Sequence, residues 1–460
     1  MLSAIVDFLL RPEVFTVLSL LWLLYVLLLA VWIIMLKRSP VATVAWLISL
    51  AGLPYIGFFI FYFLGPQRMA KQKLRRLRSQ VTLMGQRDLQ ALRQAGASSL
   101  QAQWGRMLQL MRLGHATGDG VVTTATEVDL LVGGAATFDA IFEAIRAARH
   151  HVHLEYYIYE PDHIGTALQQ LLIARARDGL EVRLLVDALG SKRLGKDFFE
   201  PLYEAGVQVG LFHSVRLGRR LRPVTNFRTH RKIVVCDGLV GFVGGVNVTD
   251  EEDLRTRPDA YHDVHLRVRG SVVHSLQAVF LEDWVYTTGE RLRLRDEAAR
   301  ALLLPPLEPG PHAVQILASG PDTEMEPIHR MMVAGIHAAR TRVWLTTPYF
   351  VPTEAALMAL TNAALRGVDV RVLVPERSDS RIVSAAARSY YGELQAAGVH
   401  IWEYRARMLH SKTLVVDEAC AFIGTANFDT RSFRLNYEVC AVAYGDGLVQ
   451  DLARQFEADM

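Results

Sequence analysis

The chain has 460 residues, 51% of them hydrophobic, with a formal net charge of +3 and three cysteines. That length accommodates two or three domains. Cys236, Cys420 and Cys440 are odd in number and lack metal or disulfide spacing, which excludes a disulfide-stapled or cysteine–metal framework and fits reduced thiols in a cytoplasmic β-core.

The hydrophobic excess is concentrated at the N-terminus. Residues 14–36 form an almost unbroken apolar run and residues 41–64 a second, each long enough to cross a bilayer as a helix. The first run is too long for a signal peptide and lacks a small-residue cleavage site. With only Lys37-Arg38-Ser39-Pro40 between them, the runs predict a tight transmembrane hairpin. Arg68, Lys71, Lys73, Arg75, Arg76 and Arg78 follow it and outnumber Lys37 and Arg38, so the positive-inside rule places the large C-terminal part in the cytoplasm. The same basic run is expected to lie against anionic headgroups.

Residues 81–118 read as a helical connector. From Gly120 strands and helices alternate: strand 151–159, helix 165–178, strand 182–186, helix 198–205, strand 207–212, and a closing helix at 272–284. After a break marked by Pro305, Pro306, Pro309 and Pro311 the series restarts with strand 342–346, helix 354–365 and strand 368–374. The expected organisation is a transmembrane hairpin with basic flank (1–80), the connector (81–118) and two α/β halves (119–300 and 301–460). Each half is a mixed sheet flanked by helices.

Both halves carry one motif. His230-Arg231-Lys232 is followed by Asp237, Gly244 and Asn247, and His410-Ser411-Lys412 by Asp417, Gly424 and Asn427 at the same offsets. Five fixed residues occur together by chance about once per ten thousand chains of this length, so two copies mean duplication. In extended chain His230 and Lys232 share a face, as do His410 and Lys412. The β-forming residues after each Lys, then Asp237-Gly238 or Asp417-Glu418, predict a hairpin. Two such units facing each other across a pseudo-two-fold axis give two imidazoles and two ammonium groups around one phosphodiester. The lysines hold phosphate oxygens, one His attacks phosphorus and the other protonates the leaving oxygen. Two imidazoles with ordinary pKa values near 6.5 can start in different protonation states at neutral pH.

A nucleophilic His needs an acceptor for its second ring nitrogen. Asp263 follows the first motif and Glu438 the second, which assigns Asp263 to His230 and Glu438 to His410. Asp237 and Asp417, at the bends, point away from the His–Lys face and read as turn or network residues.

His151 and His153, and likewise His262 and His265, read as core or surface histidines rather than metal ligands. Arg216, Arg219, Arg220 and Arg222 leave two readings open, a solvated loop or a surface for acidic lipid headgroups. Pro348-Tyr349-Phe350-Val351-Pro352, at a strand end, is a candidate acyl-chain entrance.

The paired H-x-K-x4-D-x6-G-x2-N motifs resemble those of the phospholipase D superfamily. The flanks, including Asn226-Phe227-Arg228-Thr229, Thr346-Thr347-Pro348-Tyr349-Phe350 and Gly424-Thr425-Ala426-Asn427-Phe428-Asp429-Thr430-Arg431-Ser432, are similar to bacterial cardiolipin synthases over nearly the whole chain. The resemblance implies a tandem phospholipase D-like sandwich in the bacterial inner membrane, with no cofactor, no metal and no nucleic-acid partner. It implies His230, Lys232, Asp237, His410, Lys412 and Asp417 as the catalytic set and Asn247 and Asn427 as substrate-binding residues. The implied reaction turns two phosphatidylglycerol molecules into cardiolipin and glycerol through a phosphatidyl-histidine, His230 being nucleophile and His410 acid/base. The same chemistry with water as acceptor gives a membrane-anchored hydrolase releasing phosphatidic acid. Thr425 and Phe428 stand where the family more often has Ser and Leu, and relatives usually continue past the equivalent of Met460.

Overall fold

The computed structural model describes residues 11–35, 40–53, 78, 81–82, 85–87, 90, 101–214, 226–292 and 296–460. It divides into two units, residues 1–68 with 216–226, and residues 69–215 with 227–460.

In the first unit, helix Pro12–Met35 has the length and composition of a membrane span. A second helix, Pro40–Gly52, packs on it through Leu29, Ile33 and Leu50, with Tyr25, Trp46 and Leu47 alongside. One spanning helix is therefore seen where two were expected; the connection at 37–39 and the rest of the second run lie outside the described residues. So do Arg216, Arg219, Arg220, Arg222 and all of the basic flank except Arg78, which belongs to the other unit. Arg78 does not face headgroups: it forks onto the Glu282 carboxylate at 2.8 and 2.6 Å.

The larger unit is built on two large sheets, with a further pair of short strands. The strands in chain order are β1 (Val122–Ala125), β2 (Glu127–Val132), β3 (His151–Tyr156), β4 (Glu181–Asp187), β5 (Gln208–Phe212), β6 (Ile233–Cys236), β7 (Val240–Gly244) and β8 (Val264–Arg269). The series continues with β9 (His312–Ser319), β10 (Arg342–Thr346), β11 (Phe350–Val351), β12 (Asp369–Pro375), β13 (His400–Tyr404), β14 (Thr413–Val416), β15 (Cys420–Gly424), β16 (Phe428–Asp429) and β17 (Glu438–Tyr444). One sheet has the order β2-β8-β7-β6-β3-β4-β5 and the other β1-β9-β17-β15-β14-β10-β12-β13. Without β1 the two orders superimpose strand for strand, with parallel pairing at β3–β4–β5 and β10–β12–β13 and antiparallel pairing elsewhere. The duplication read from the motifs is thus a duplication of topology.

Two elements cross the expected boundary between the halves. β1 lies in the first half of the chain but pairs with β9 at the edge of the second sheet. Met107, Leu110 and Met111 of helix Gln101–Gly118 join the core of the second half. The helix Val272–Thr288 contacts strands of both sheets, and its residues 272–284 are all buried. Its apolar residues fill that position, and its buried Gln277, Glu282 and Asp283 meet polar partners there, His153, Arg78 and Arg231.

Each motif folds as the hairpin its sequence predicts, β6–β7 and β14–β15. The motif glycines serve close strand approach. A Cβ on Gly244 would lie 2.6 Å from His265 Cα, and one on Gly424 2.7 Å from Cys440 Cα. They let β8 and β17 close onto the hairpins, bringing in the carboxylates that precede or begin those strands.

Candidate active site

His230 and Lys232 lie on the extended lead-in to β6, and His410 and Lys412 on the lead-in to β14. The ammonium of Lys232 donates to the His230 carbonyl at 2.7 Å, and Lys412 donates likewise to the His410 carbonyl. All four side chains are buried.

The halves are joined beside each histidine. Thr229 forms a parallel bridge with Tyr437, and His262 one with Leu409. His230 N–H donates to Tyr437 O at 2.8 Å, and His410 N–H to His262 O at 2.8 Å. The next residue after Tyr437 is Glu438, and the next after His262 is Asp263. The bridges therefore set each carboxylate against the histidine of the opposite half. His230 Nδ1 donates to Glu438 Oε2 at 2.9 Å, and His410 Nδ1 to Asp263 Oδ2 at 2.7 Å. The same-half assignment from the sequence is wrong: the right carboxylates are present, with their partners exchanged. Arg231, the variable residue of the first motif, fixes the crossing by donating to the Glu438 carbonyl at 3.1 Å while its other arm pairs with Asp283.

With Nδ1 engaged, Nε2 is the ring nitrogen left for chemistry on each imidazole. Tyr157 flanks His230 with ring centroids 5.0 Å apart, and Tyr261 flanks His410 at 5.5 Å. Neither tyrosine was singled out in the sequence, where no spacing ties them to the motifs.

Burial dominates the electrostatics. It lowers His230 below its ordinary value, against the raising effect of Glu438, and takes His410 down to about 4 with help from Lys412. Burial, then repulsion from Lys412, brings Lys232 down to about 7, and Lys412 is lowered as well. Burial works to raise Asp263 and Glu438, but Lys412 and His410 around the first and His230 around the second outweigh it and hold both below the usual carboxylate range. Burial and the neighbouring lysines thus favour the neutral form of both imidazoles.

The motif aspartates do not reach this chemistry. Asp237 accepts backbone N–H bonds from Arg149, His150 and His151 at 2.7–2.9 Å. Asp417 accepts from the N–H groups of Arg340, Thr341 and Arg342 and from the Thr341 hydroxyl. Their place in the catalytic set is corrected to the turn and network role that side-chain parity indicated. Asn247 accepts from Ile158 N–H at 3.3 Å and donates to Glu252 at 3.3 Å, which commits most of its amide to the protein. Asn427 is held through its own N–H on Ser432 Oγ, and its side-chain oxygen is buried without a hydrogen-bond partner.

Glu252 was missed. It sits in an Asp-Glu-Glu-Asp run that reads as a solvated acidic turn, yet it is 1% exposed, with Oε1 3.6 Å from His410 Nδ1. Glu252, Asp263 and His410 form a carboxylate–imidazole group with the spacing of a cation site. The neighbouring ammonium of Lys412, 3.5 Å from Asp263, competes with a cation for that carboxylate.

His151 and His153 are buried away from this cluster, with Gln277 between them. His262 is tied to Asp459 at 2.8 Å, and His265 is buried in β8, opposite Gly244 of β7. In the aromatic segment after β10, Phe350 is buried and stacks on Phe428 at 5.8 Å, while Tyr349 donates to Asp379 at 2.7 Å. Phe350 is core, not a wall for an acyl chain.

Residues 141–284 and 332–460 match the family described as cardiolipin synthase, PLD-like domain. The chain belongs to that family. The cardiolipin synthase of Alkalihalophilus pseudofirmus is 40% identical over 433 residues, covering 92% of this chain and 84% of the relative. Cardiolipin synthase 1 of Bacillus anthracis is 38% identical over 464 residues, covering 99% and 91%. The crystal structure of phosphatidylserine synthase from Haemophilus influenzae shares the fold at 16% identity and TM-score 0.58, over 76% of this chain and 90% of that one. A cardiolipin synthase of the phospholipase D type is a phosphatidyltransferase.

Proposed function

We propose that the chain joins two phosphatidylglycerol molecules into cardiolipin and glycerol through a phosphatidyl group carried on His230. Phosphate oxygens of the first lipid take the space between Lys232 and Lys412, aided by the Asn427 amide and what remains of the Asn247 amide. His230 Nε2 attacks phosphorus, the bond from phosphorus to the glycerol headgroup oxygen breaks, and protonated His410 gives that oxygen its proton. The free hydroxyl of a second phosphatidylglycerol then attacks phosphorus, His410 takes its proton, and the N–P bond breaks to return His230. Glu438 holds the His230 tautomer, and Asp263 supports the imidazolium of His410.

The observation that carries this reading is the pair of crossed imidazole–carboxylate contacts, 2.9 and 2.7 Å, beside two buried lysines. Helix Pro12–Met35 supports a membrane anchor. A two-helix hairpin with the catalytic part in the cytoplasm is the topology that accords with the basic flank. Purified protein in detergent micelles with headgroup- and acyl-labelled phosphatidylglycerol tests the reaction. Equal amounts of cardiolipin and free glycerol are expected. Phosphatidic acid in place of cardiolipin would mean that water, not lipid, is the acceptor.

A further inference from the structure

Among the differences between the two halves around the histidines, one adds a carboxyl group to the first half alone. Fifteen residues after the motif aspartate the first half has Glu252 and the second has Ser432. Both do the same local job. Glu252 Oε1 accepts the Asn247 N–H at 3.1 Å, and Ser432 Oγ accepts the Asn427 N–H at 3.1 Å. A serine suffices for that bond, so the carboxyl in the first half has another use.

Its surroundings define that use. Atoms of Glu252, Asp263 and His410 lie within 4.8 Å of one another. Asp263 accepts from His410 Nδ1 at 2.7 Å and Val264 N–H at 2.7 Å, with Lys412 at 3.5 Å. Among the described residues Glu252 accepts hydrogen bonds on Oε1 from the neutral donors of Asn247 alone, with His410 Nδ1 farther off at 3.6 Å, and its Oε2 is buried without a hydrogen-bond partner. Two carboxyl groups this close in a dry site share one negative charge, and it settles where the cations are, on Asp263. Among the described residues the second half forms no such three-residue group: His230 faces the carboxylate of Glu438, which is further bound by the Thr425 hydroxyl. Gly245 occupies the place of Thr425 in the first half, and any side chain there would collide with the Asp263 carboxylate, its Cβ 2.2 Å from Oδ1.

We propose that Glu252 is a positioning residue that acts as a neutral carboxylic acid against the Asp263–His410 pair and makes His410, not His230, the histidine that cycles a proton. The proposal rests on the catalytic reading above and deepens it. With Glu252 neutral, His410 feels one carboxylate, so its imidazolium is supported yet still able to release its proton to the leaving glycerol. Ionised, Glu252 would add a second negative charge and hold the proton on His410. The charged and titratable groups facing Glu252 are Asp263, His410, Lys412, Lys232 and Tyr261. Burial, then Asp263, pushes the Glu252 carboxyl up to about 8, so the neutral form prevails at pH 7 and is lost above it.

The test is kcat for cardiolipin formation at saturating phosphatidylglycerol between pH 6 and pH 9.5, for the wild type, Glu252→Gln and Glu252→Ser, with thermal unfolding as a check on folding. Saturation separates the effect from lysine-dependent binding. The wild type is expected to lose activity above about pH 8 and both neutral variants to lack that fall, with kcat at pH 7 reduced about threefold in Glu252→Gln and about tenfold in Glu252→Ser. Glu252→Ser copies the second half and keeps the acceptor for Asn247, so it reports even where Gln misfolds. A fall that persists in both variants, or a wild type with no fall, overturns the proposal. So does a Gln variant that loses a hundredfold at pH 7, since the group would then act as an anion. The underlying reading has its own check: His410→Ala mixed with phosphatidyl-p-nitrophenol is expected to carry phosphatidyl on His230. Label elsewhere sinks that reading without deciding the Glu252 profile.

Discussion

The two halves share strand order, hairpin, glycine and bridge, yet they hold their histidines differently. In the second half His230's carboxylate, Glu438, is fastened by the Thr425 hydroxyl, and its backbone carbonyl is held by the Arg231 guanidinium. In the first half His410's carboxylate, Asp263, is fastened by Lys412 and faces a second carboxyl group, Glu252. Duplication alone would give two equivalent imidazoles, and a two-step transfer needs inequivalent ones. The difference lies in the residues around the motif, and because the supports are exchanged between halves, neither half contains a complete histidine site.

The largest effect expected is loss of either imidazole. His230→Ala and His410→Ala should each lower cardiolipin synthesis by about 10³-fold or more. A loss of that size in only one would make the other histidine dispensable and end the two-role comparison. Next come the supports. Glu438→Gln and Asp263→Asn remove the charge on Nδ1 and should each cost about 10²-fold in kcat, with thermal unfolding midpoints measured alongside to exclude a folding defect.

A smaller effect concerns pH and binding. Lys232, depressed to about 7, is protonated below that value and neutral above it in the empty site, whereas a bound phosphodiester favours the charged form. KM for phosphatidylglycerol should therefore rise as pH increases from 6 to 8.5. A flat KM over that range would show that Lys232 is charged throughout. The smallest effect on activity is expected at the motif aspartates. Asp237→Asn and Asp417→Asn should cost about 1–3 kcal/mol of stability, measured by denaturant unfolding, while kcat per folded molecule stays within a few-fold. Asn tolerates the left-handed conformation both residues adopt, φ +56° and +52°, so lost acceptors rather than backbone strain set that cost. A large kcat effect with intact stability would return these aspartates to the chemistry.

Much of the fold was legible because its signals are local. Val182–Val186, Arg342–Thr346 and the two motif hairpins announce themselves by alternating or continuous β-forming residues, and the repeat announces the second half. The crossing was not legible. Thr229–Tyr437 and His262–Leu409 are backbone bridges between distant segments, and backbone pairing has no residue-type signature. Sequence distance instead pointed each carboxylate to the nearer histidine. β1 was hidden for a similar reason: its partner β9 is in the other half. The protonation of the histidines was missed because an imidazole's ordinary value says nothing about a site whose walls are buried and whose neighbours are lysines. Glu252 gave a signal only in the alignment of the two copies, where a carboxyl stands opposite Ser432.

The most direct test of the crossed site uses phosphatidyl-p-nitrophenol, whose leaving group departs without a proton. Forming the phosphatidyl-histidine then depends on the nucleophile and its carboxylate, and discharging it depends on the acid/base and its own. In a rapid-quench experiment Asp263→Asn is predicted to release one p-nitrophenolate per enzyme in a burst and to leave phosphatidyl on His230, whereas Glu438→Gln shows no burst. A burst with Glu438→Gln and none with Asp263→Asn would contradict the exchange of carboxylates between the halves.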